Sequence, residues 1–325
     1  MRNLRQFRRR KASALLAVMW IVALLVGLVG TTALLLTEDV ETSTTRRQIF
    51  RARTLAEMGL ALGAHPGIKP DDPLLRREVS PGEGYIVTVI GEDGKLNPNV
   101  LLQREDRDTL MRIMKAWGLK LNEMQTLIDS LLDWVDPDPL QRLNGGETRY
   151  YNTPGFPFNR PFRTVDEMAL VRGMDYVERL YPGWREWFSV HSTGVVDINE
   201  TTPEILSALT GADIRFTTDL ISRRLGRDGI RGTKDDIPYP DVTTALRLLN
   251  VTVTNPQALN SILGVQSSIR RIESTGIAGD FRRTLYAVVR GSPNSSGASQ
   301  MLWLGETTSR DEGGTSFASS AASRR

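Results

Sequence analysis

Cysteine is absent from the 325-residue sequence, and only two histidines occur, His65 and His191. The absence of cysteine excludes disulfides, thiol catalysis and zinc sites built from thiolates. Two histidines leave little material for imidazole catalysis, and we expect both to be structural or surface residues. The sequence also lacks a P-loop, a dinucleotide-binding fingerprint, a nucleophile elbow and a HExxH motif. We therefore predict that the protein is not an enzyme.

Acidic residues are absent from the first eleven positions, which carry five arginines and one lysine. The formal net charge of the whole chain is only +3, so the rest of the chain is mildly acidic. A basic surface spread over the folded part, of the kind that binds nucleic acid, is therefore not expected. The hydrophobic fraction of 40% is ordinary for a globular protein, and most of the chain should fold.

A long uncharged segment follows the basic N-terminus. Residues 12–36 contain no charged side chain and consist mainly of Leu, Val, Ala, Ile, Met and Trp. A helix of this length can cross the hydrocarbon core of a bilayer with some tilt. Because basic residues flank one end, and Glu38 and Asp39 the other, the positive-inside rule places the N-terminus in the cytoplasm. The segment therefore predicts a single membrane span with the bulk of the chain on the opposite side.

Three interpretations of this segment are open on physical grounds. A cleavable secretory signal has a shorter apolar core, followed by a small-residue cleavage site. A plain signal anchor fits as well as a leader that is cut before the apolar helix and leaves the helix attached. The helical pattern continues without proline through residues 44–62, where Ile49, Leu55, Met58 and Leu62 recur at spacings of six, three and four. One long helix, half in lipid and half packed on a domain, is typical of pilins.

Five short segments of the chain resemble one known family. They follow one another in the order expected for that family and extend from residue 12 to the later part of the chain. The segments are ASALLAVMW at 12–20, GKLNPN at 94–99, LIDSLLDWVDPD at 127–138, FRTVDEMALVRGM at 162–174 and VDINETTPEIL at 196–206. Together they make the chain resemble the K-type minor pseudopilins of bacterial type II secretion systems.

The resemblance implies processing by a prepilin peptidase between Ala12 and Ser13. The family nearly always has glycine where this chain has Ala12. The fifth residue after the expected cut is Ala17, where most pilins have a glutamate that neutralises the charged N-terminus of a neighbouring subunit within the membrane. A subunit at the tip of a filament has no subunit above it, so the absence of this glutamate favours a tip role. The implied location is the bacterial inner membrane, with most of the chain in the periplasm.

The predicted fold class is α+β, with a long N-terminal transmembrane and amphipathic helix, a small antiparallel-sheet pilin-like domain and a large inserted all-α domain. A helical block separates an early strand from the β-rich end of the chain, which is why an insertion is predicted. The boundaries are a basic leader at 1–12, the helix at 13–62, the first part of the pilin-like domain at 63–100, the inserted domain at 101–265, the remaining strands at 266–305 and a disordered tail at 306–325.

Local patterns predict the elements within these domains. Alternating or β-branched apolar residues next to turn signals predict strands at 85–90, 268–274, 283–290 and 300–304. Helical spacing predicts helices at 106–117 and 121–134. Further helices are expected to begin at Thr164, which is followed by two acidic residues, and at Thr202, which precedes a proline at the first helical position.

Two acidic segments are candidate calcium sites, because calcium takes six to eight oxygen ligands in flexible loops. The first segment contains Asp133, Asp136, Asp138 and Glu147, and its alternative interpretation is a solvated acidic turn that ends a helix. The second contains Asp228, Asp235 and Asp236, and its alternative interpretation is a surface hairpin whose basic residues compete with a cation. Neither segment follows the twelve-residue EF-hand pattern.

Gly173 and Gly211 lie in segments that resemble the turn of helix-hairpin-helix modules, in which backbone amides can bind DNA phosphate. Asp175, Glu178 and Asp213 lie beside these turns and would repel phosphate. In the K-type family similar turns occur in the helical insertion, where they serve packing. We therefore expect no nucleic acid as a partner.

The predicted function is that of a minor pseudopilin that caps or initiates the periplasmic pseudopilus of a type II secretion system. The implied partners are the other minor pseudopilins of the tip, the prepilin peptidase, the inner membrane, and the secretin or the exported proteins. Two alternatives remain: a membrane-tethered helix-hairpin-helix protein that binds DNA, and an envelope protein with one span that is never processed.

Overall fold

The computed structural model describes residues 4–249, 261–291 and 299–307, and all of their side chains except those of residues 4–15, 30–42 and 307. Its first element, α1, is one continuous helix over Leu4–Gly63. The first proline of the chain is Pro66, so nothing in this stretch removes a helical hydrogen bond. The predicted long N-terminal helix is therefore present.

No helix among the described residues has both the length and the apolar character that a membrane span needs. The side chains of the predicted processing residues, Ala12 and Ser13, lie outside the described residues.

The strands, in chain order, are β1 (Arg76–Ser80), β2 (Glu83–Gly91), β3 (Val196–Asp197), β4 (Leu263–Gly264), β5 (Ile269–Ala278), β6 (Phe281–Arg290) and β7 (Gln300–Thr307). Five of them form one antiparallel sheet in the order β1-β2-β5-β6-β7, and β3 pairs with β4 in a short parallel ladder. The mixed fold of helices and an antiparallel sheet is thereby confirmed, and each of the four predicted strands overlaps a strand of the larger sheet.

Two details of the strand prediction were wrong. β1 was not predicted, because its sequence RREVS is largely charged and exposed and shows no apolar alternation. Such a charged strand suits the edge of a sheet, where it discourages pairing with other chains. β7 runs to Thr307, so positions 306 and 307 belong to a strand and not to the predicted tail. Residues 308–325 of that tail lie outside the described residues.

α1 packs on the sheet through small residues. Ala52 and Ala56 are fully buried, and a Cβ added at Gly276 of β5 would lie 1.9 Å from the carbonyl oxygen of Ala52. Farther along the helix, a Cβ added at Gly59 would lie 2.4 Å from the side chain of Ser274 on β5, and one at Gly63 would lie 2.9 Å from that of Val87 on β2. The small residues thus let the helix backbone touch the sheet, while larger apolar side chains fill the flanks of this contact.

The helical region lies between β2 and β5, as predicted for the insertion. Its helices are α2 (Pro98–Gln103), α3 (Arg107–Ala116), α4 (Leu121–Val135), α5 (Thr148–Tyr151), α6 (Met174–Leu180), α7 (Pro203–Thr210), α8 (Ile214–Arg224) and α9 (Val242–Leu248). The predicted helix from Thr164 is instead a 3-10 helix over Val165–Leu170. The segment is too short for more turns, since Gly173 redirects the chain at φ +92°.

The core of the helical region surrounds α4 and is rich in aromatic residues. Trp134 is fully buried and makes edge contacts with Tyr151, Phe156 and Phe158 at centroid distances of 5.1–5.3 Å. Aromatic pairs in this arrangement are worth about 0.5–1.5 kcal/mol each beyond the area that they bury. The insertion therefore has a core of its own, separate from the one between α1 and the sheet.

Asp93 joins these two parts of the molecule. It is fully buried in the turn after β2, and its carboxylate accepts hydrogen bonds from the backbone N–H groups of Thr193, Ser268 and Ile269 at 2.7–3.1 Å. The hydroxyls of Thr193 and Ser267 donate to the same carboxylate. The end of β2, a loop of the helical region and the start of β5 are thus held by one side chain.

Candidate functional site

The structure brings together part of the first predicted calcium cluster. Asp133 is fully buried near the end of α4, and its carboxylate accepts hydrogen bonds from the backbone N–H of Arg142 and, at 2.9 Å, from the guanidinium of the same residue. That guanidinium also donates to Asp136. Asp138 is exposed and accepts a hydrogen bond from the backbone N–H of Leu140 at 2.9 Å. One arginine therefore neutralises two of the four carboxylates.

Glu147, the fourth member of this cluster, is buried, and neither of its carboxylate oxygens has a hydrogen-bond partner among the described residues. Burial raises the pKa of Glu147, and the charge of Asp133 raises it further. Among the described residues, no three His, Asp or Glu side chains are arranged to hold a metal ion. The arrangement around Arg142 does not form a calcium ligand set, so calcium stays a prediction that needs a direct test.

The second predicted calcium segment binds mainly its own backbone. One carboxylate oxygen of Asp235 accepts hydrogen bonds from the N–H groups of Arg227 and Asp228, and the other accepts one from the hydroxyl of Thr233 at 2.7 Å. Asp228 and Asp236 likewise accept hydrogen bonds from backbone N–H groups two and four residues away. The hydroxyl of Thr233 and the two N–H groups lower the pKa of Asp235 to about 2. These bonds are those of a surface turn, the alternative interpretation of the segment.

Gly173 and Gly211 each lie between two helices with a positive φ, at +92° and +72°. Gly173 precedes α6, and a Cβ at this position would lie 3.4 Å from Cα of Leu127 on α4. Gly211 ends α7, and its N–H donates to the carbonyl of Ser207 at 2.8 Å. Both glycines therefore have a local conformational role, and at Gly173 the close approach to α4 leaves little room for a side chain.

Three asparagines in the family-like segments connect distant loops. The side-chain amide of Asn99 donates to the carbonyl of Phe162 at 2.9 Å and accepts a hydrogen bond from the N–H of Phe162 at 2.8 Å. This pair of bonds is like the pair that a residue of a neighbouring β-strand would make. Asn199 forms the same reciprocal pair with Tyr239. Asn97 caps α2 through its side-chain oxygen and donates to the carbonyl of Ser192. Sequence reasoning singled out these segments but missed the roles of the asparagines, because their partners lie 40 to 95 residues away.

A cavity of about 550 Å³ lies where the sheet, the segment after α1 and the helical region meet. The charged side chains on its walls include Arg224, Arg231, Arg270, Asp197, Glu200 and Asp236. The sequence did not predict this cavity, because its walls come from segments that are far apart along the chain.

Most of the charges on the cavity wall have partners within the protein. Arg224 donates to the carbonyls of Ile198 and Thr201, and Arg231 forms an ion pair with Glu200. Burial raises the pKa of Asp197 to about 6, although its carboxylate accepts a hydrogen bond from the backbone and lies near Arg224. The carboxylic acid of Asp197 is thus partly protonated near neutral pH.

Two apolar surfaces are exposed among the described residues. Along α1, residues 16–29 are all exposed, and most of them are apolar. On β7, which forms an edge of the sheet among the described residues, Met301, Trp303 and Leu304 are also exposed. Exposed apolar surface on a folded protein commonly marks a contact with another protein or with lipid.

The arrangement of α1, the sheet and the helical insertion indicates a class of protein. α1 packs its C-terminal part on the antiparallel sheet and leaves the apolar side chains of residues 16–29 exposed, which resembles the arrangement of type IV pilin-like subunits. A helical insertion lies between two neighbouring strands of this sheet.

Comparison with known proteins narrows the class further. Residues 94–182 match the family described as "Type II secretion system (T2SS), protein K". The fold is similar to a chain of the crystal structure of the GspK-GspI-GspJ complex from the type 2 secretion system of enterotoxigenic Escherichia coli, with a TM-score of 0.60. That match has 18% sequence identity and covers 84% of this chain and 100% of the other. No curated protein matches the sequence. The resemblance to the K-type minor pseudopilins of type II secretion is thereby confirmed.

Proposed function

We propose that the chain is a tip subunit that caps or initiates the periplasmic pseudopilus of a type II secretion system. In this proposal α1 is held in the inner membrane until the subunit is extracted, and then packs with the helices of other minor pseudopilins. The similar Escherichia coli protein was solved in a complex of GspK, GspI and GspJ, which supports minor pseudopilins as partners of this chain. The role is one of assembly and not of catalysis.

The proposal rests on the position of the helical insertion relative to the C-terminal end of α1. Gly63, at the C-terminal end of α1, lies against Ile272 and Val87, close to the end of the sheet where β2 stops and β5 begins. The chain enters the insertion after Gly91 and returns at Ile269, so the helical region lies beyond the end of α1 that is farthest from its apolar N-terminal half. A domain at that end of α1 would obstruct the addition of another subunit beyond the insertion.

Deletion of the gene in the organism that encodes it tests the proposal. If the subunit caps the filament, its loss should lengthen the pseudopili. If it initiates assembly, its loss should abolish pseudopili and the secretion of type II substrates. The number and length of filaments are measured by electron microscopy, and secretion by the activity of exported proteins in the medium. Unchanged filaments together with unchanged secretion would contradict both roles.

Processing of the N-terminus is tested separately by mass spectrometry of the mature chain. We expect a chain that begins at Ser13, because the prepilin peptidase would cut after Ala12 and leave the apolar helix attached. Substitution Ala12→Gly should keep the cut, while Ala12→Asp should prevent it. A mature protein that still carries the basic leader would instead support an unprocessed envelope protein.

Binding to DNA is the remaining alternative, and the two hairpin turns give no support for it. Asp175 lies in the first turn of α6 and Asp213 directly precedes α8, and each forms an ion pair with an arginine of the helix beside it. Purified full chain should therefore show no salt-dependent binding to duplex DNA in a filter or anisotropy assay.

A further inference from the structure

β7 forms an edge of the sheet that is both long and apolar. The strand has eight residues, QMLWLGET, and within the described part of the chain it pairs with β6 alone. Met301, Trp303 and Leu304 are 52%, 38% and 54% exposed. In an edge strand every second residue directs its N–H and C=O away from the sheet. β7 therefore combines main-chain groups that can pair with apolar side chains that can pack, as a site for a further strand requires.

The other edge of the sheet, β1, is protected against such pairing. It has five residues, RREVS, and its pairing with β2 is irregular between Glu78 and Ser80. Arg76, Arg77 and Glu78 are all exposed. Charges, short length and bulges are the means by which edge strands avoid joining other chains. β7 has no charge in its exposed central part, so the two edges differ and β7 is the one open to a partner.

The exposed side chains of β7 lie on both faces of the sheet. Met301 and Leu304 lie opposite residues of β6 that belong to the core beneath α1. Trp303 lies on the other face, where its ring contacts that of Tyr286 at a centroid distance of 4.6 Å. A strand that covers this edge must therefore carry apolar residues on both of its faces.

A second copy of the chain does not fit this edge. α1 runs antiparallel to β5, because Ala52 lies against Gly276 and Gly63, farther along the helix, lies against Ile272. β5 and β7 are both antiparallel to β6, so α1 is antiparallel to β7 as well. Two copies paired antiparallel through β7 would have their α1 helices in opposite directions, and the two apolar halves could not enter one membrane. Pairing with β1 of another copy would set apolar residues against its arginines.

The flank of α1 that faces β7 connects the two exposed apolar surfaces. Arg53 of α1 forms an ion pair with Glu306 of β7 at 3.7 Å. Phe50 precedes Arg53 by three residues, so the two side chains are neighbours on the helix surface, and Phe50 is 71% exposed. A subunit that packs along α1 would therefore reach β7 as well.

We propose that β7 binds a strand of another minor pseudopilin, which packs along α1 and adds that strand to the edge of the sheet. This inference rests on the proposed function and names the surface through which the chain joins its neighbour. The bound segment is extended and apolar on both faces, since it covers Met301 and Leu304 on one face and Trp303 on the other. Main-chain hydrogen bonds supply the affinity, and the side chains set the register.

Photo-cross-linking in the organism that encodes the chain identifies the occupant. A benzophenone amino acid replaces Trp303 in one variant and, as the control, Val79 of β1, which is 44% exposed. We expect the probe at position 303 to become joined to another minor pseudopilin, identified by mass spectrometry of the cross-linked peptide. The probe at position 79 should give about ten-fold less of that product. The proposal is overturned if position 303 captures a second copy, the secretin, an exported protein or nothing.

Hydrogen exchange tests the mode of binding. The full chain, purified in a mild detergent, is mixed with the subunit that the cross-link identifies, and the amides of residues 300–306 are followed. Addition of a strand should slow the exchange of the amides that point away from β6 by about ten-fold or more, and leave those of β1 unchanged. Unchanged exchange along β7 in the complex would mean that the contact uses side chains only, and would overturn the addition of a strand.

A charge on the edge tests the affinity. Leu304 is half exposed, so Leu304→Lys should keep the wild-type thermal unfolding midpoint, yet weaken binding of the identified subunit by about ten-fold or more. Val79→Lys is the matched control and should bind like the wild type. Should Leu304→Lys fail to fold, Met301→Lys takes its place in the same comparison. Wild-type affinity in the charged variant would contradict the proposal.

The same variants separate this inference from the proposed function. In the deletion strain, Leu304→Lys should fail to restore wild-type filaments and secretion, whereas Val79→Lys should restore both. Full restoration by Leu304→Lys overturns the role of β7, while the tip role, tested by the deletion itself, stands. Unchanged filaments and secretion after the deletion, with the cross-link at position 303 still formed, would instead reject the tip role and keep the contact.

Discussion

Asp93 shows how much of the architecture depends on one side chain. Five donors from two distant segments converge on its two oxygens inside a buried junction. Replacing the carboxylate therefore leaves several buried donors without acceptors, and each such group costs about 1–3 kcal/mol.

We expect Asp93→Asn to lower the free energy of unfolding by about 2–4 kcal/mol, because the amide keeps one acceptor and places an NH2 group against donors. Urea denaturation followed by circular dichroism measures the change. Asp175→Asn is the control, since Asp175 is an exposed partner of Arg179 within one helix, and its loss should cost less than about 1 kcal/mol. Equal effects of the two substitutions would contradict the role of Asp93.

Asp197 should make stability depend on pH. Because burial raises its pKa from 3.8 to about 6, the native state still holds the proton between these values while the unfolded chain has lost it. Its contribution to stability is therefore present below pH 4, is lost as the pH rises through 6, and then stays level.

The difference in unfolding free energy between the wild type and Asp197→Asn isolates this effect from that of other carboxylates. We expect the wild type to lose about 2 kcal/mol relative to the variant between pH 4 and pH 7. Urea titrations at a series of pH values provide the measurement. A difference that does not change with pH would mean that Asp197 titrates near its ordinary value.

Calcium binding at the first acidic cluster requires that the guanidinium of Arg142 leave Asp133 and Asp136. We therefore expect Arg142→Gln to bind calcium more tightly than the wild type, and Asp133→Asn to bind it less tightly. Isothermal titration with calcium chloride tests both. If neither the wild type nor Arg142→Gln binds calcium, the prediction from the sequence is wrong for this cluster.

At the scale of single residues, the sequence identified the relevant segments but not the contacts that their side chains make. The segments at 94–99 and 196–206 were found by resemblance, and they do contain the side chains that connect the loops. What Asn99 or Asn199 binds depends on backbone that comes close only after folding, so no local pattern reveals it.

At the scale of elements, the contact between α1 and β5 depends on Gly276. A Cβ there would meet the carbonyl oxygen of Ala52 at 1.9 Å and the backbone nitrogen of Ala56 at 2.4 Å. Backbone atoms of a packed helix cannot move aside as the end of a flexible side chain can, so the helix as a whole must shift.

We expect Gly276→Ala to destabilise the protein by about 2–4 kcal/mol, in the range of overpacked cores. It should also make residues 44–63 more susceptible to limited proteolysis, because the helix would be lifted from the sheet. Gly183→Ala is the matched control, since a Cβ at Gly183 meets only a ring carbon at 3.7 Å. Wild-type resistance to protease in Gly276→Ala would show that the helix accommodates the methyl group.

The elements themselves were largely predictable, with failures that have physical causes. β2, β5 and β6 carry apolar residues in alternating or continuous runs, and α3 and α4 show clear helical spacing. β1 has charges where a buried strand would have apolar residues, and the segment from Val165 to Leu170 has the composition of a helix but not the length. Periodicity reports burial on one face, so it cannot find an exposed edge strand.

At the scale of the whole molecule, the insertion connects two strands that are direct neighbours. Gly91 at the end of β2 lies opposite Arg270 at the start of β5, so a short turn could join them. We expect a chain in which residues 92–269 are replaced by an Asn-Gly turn to retain α1 and the antiparallel sheet.

Circular dichroism and protection of the sheet amides from hydrogen exchange test this expectation. The shortened chain should be less stable than the full chain because it loses the bonds to Asp93. In the deletion strain it should also fail to limit filament length if the insertion forms the cap. An unfolded product would show that the sheet requires the helical region.

The neighbouring position of β2 and β5 also has a consequence for the order of folding. Pairing two strands across an unstructured loop of this length costs roughly 4–5 kcal/mol of chain entropy. If the helical region, with its separate aromatic core, forms first, it brings its own two ends together and removes most of that cost. The insertion would then hold the end of β2 near the start of β5, so that the last strands complete the sheet without closing a long loop.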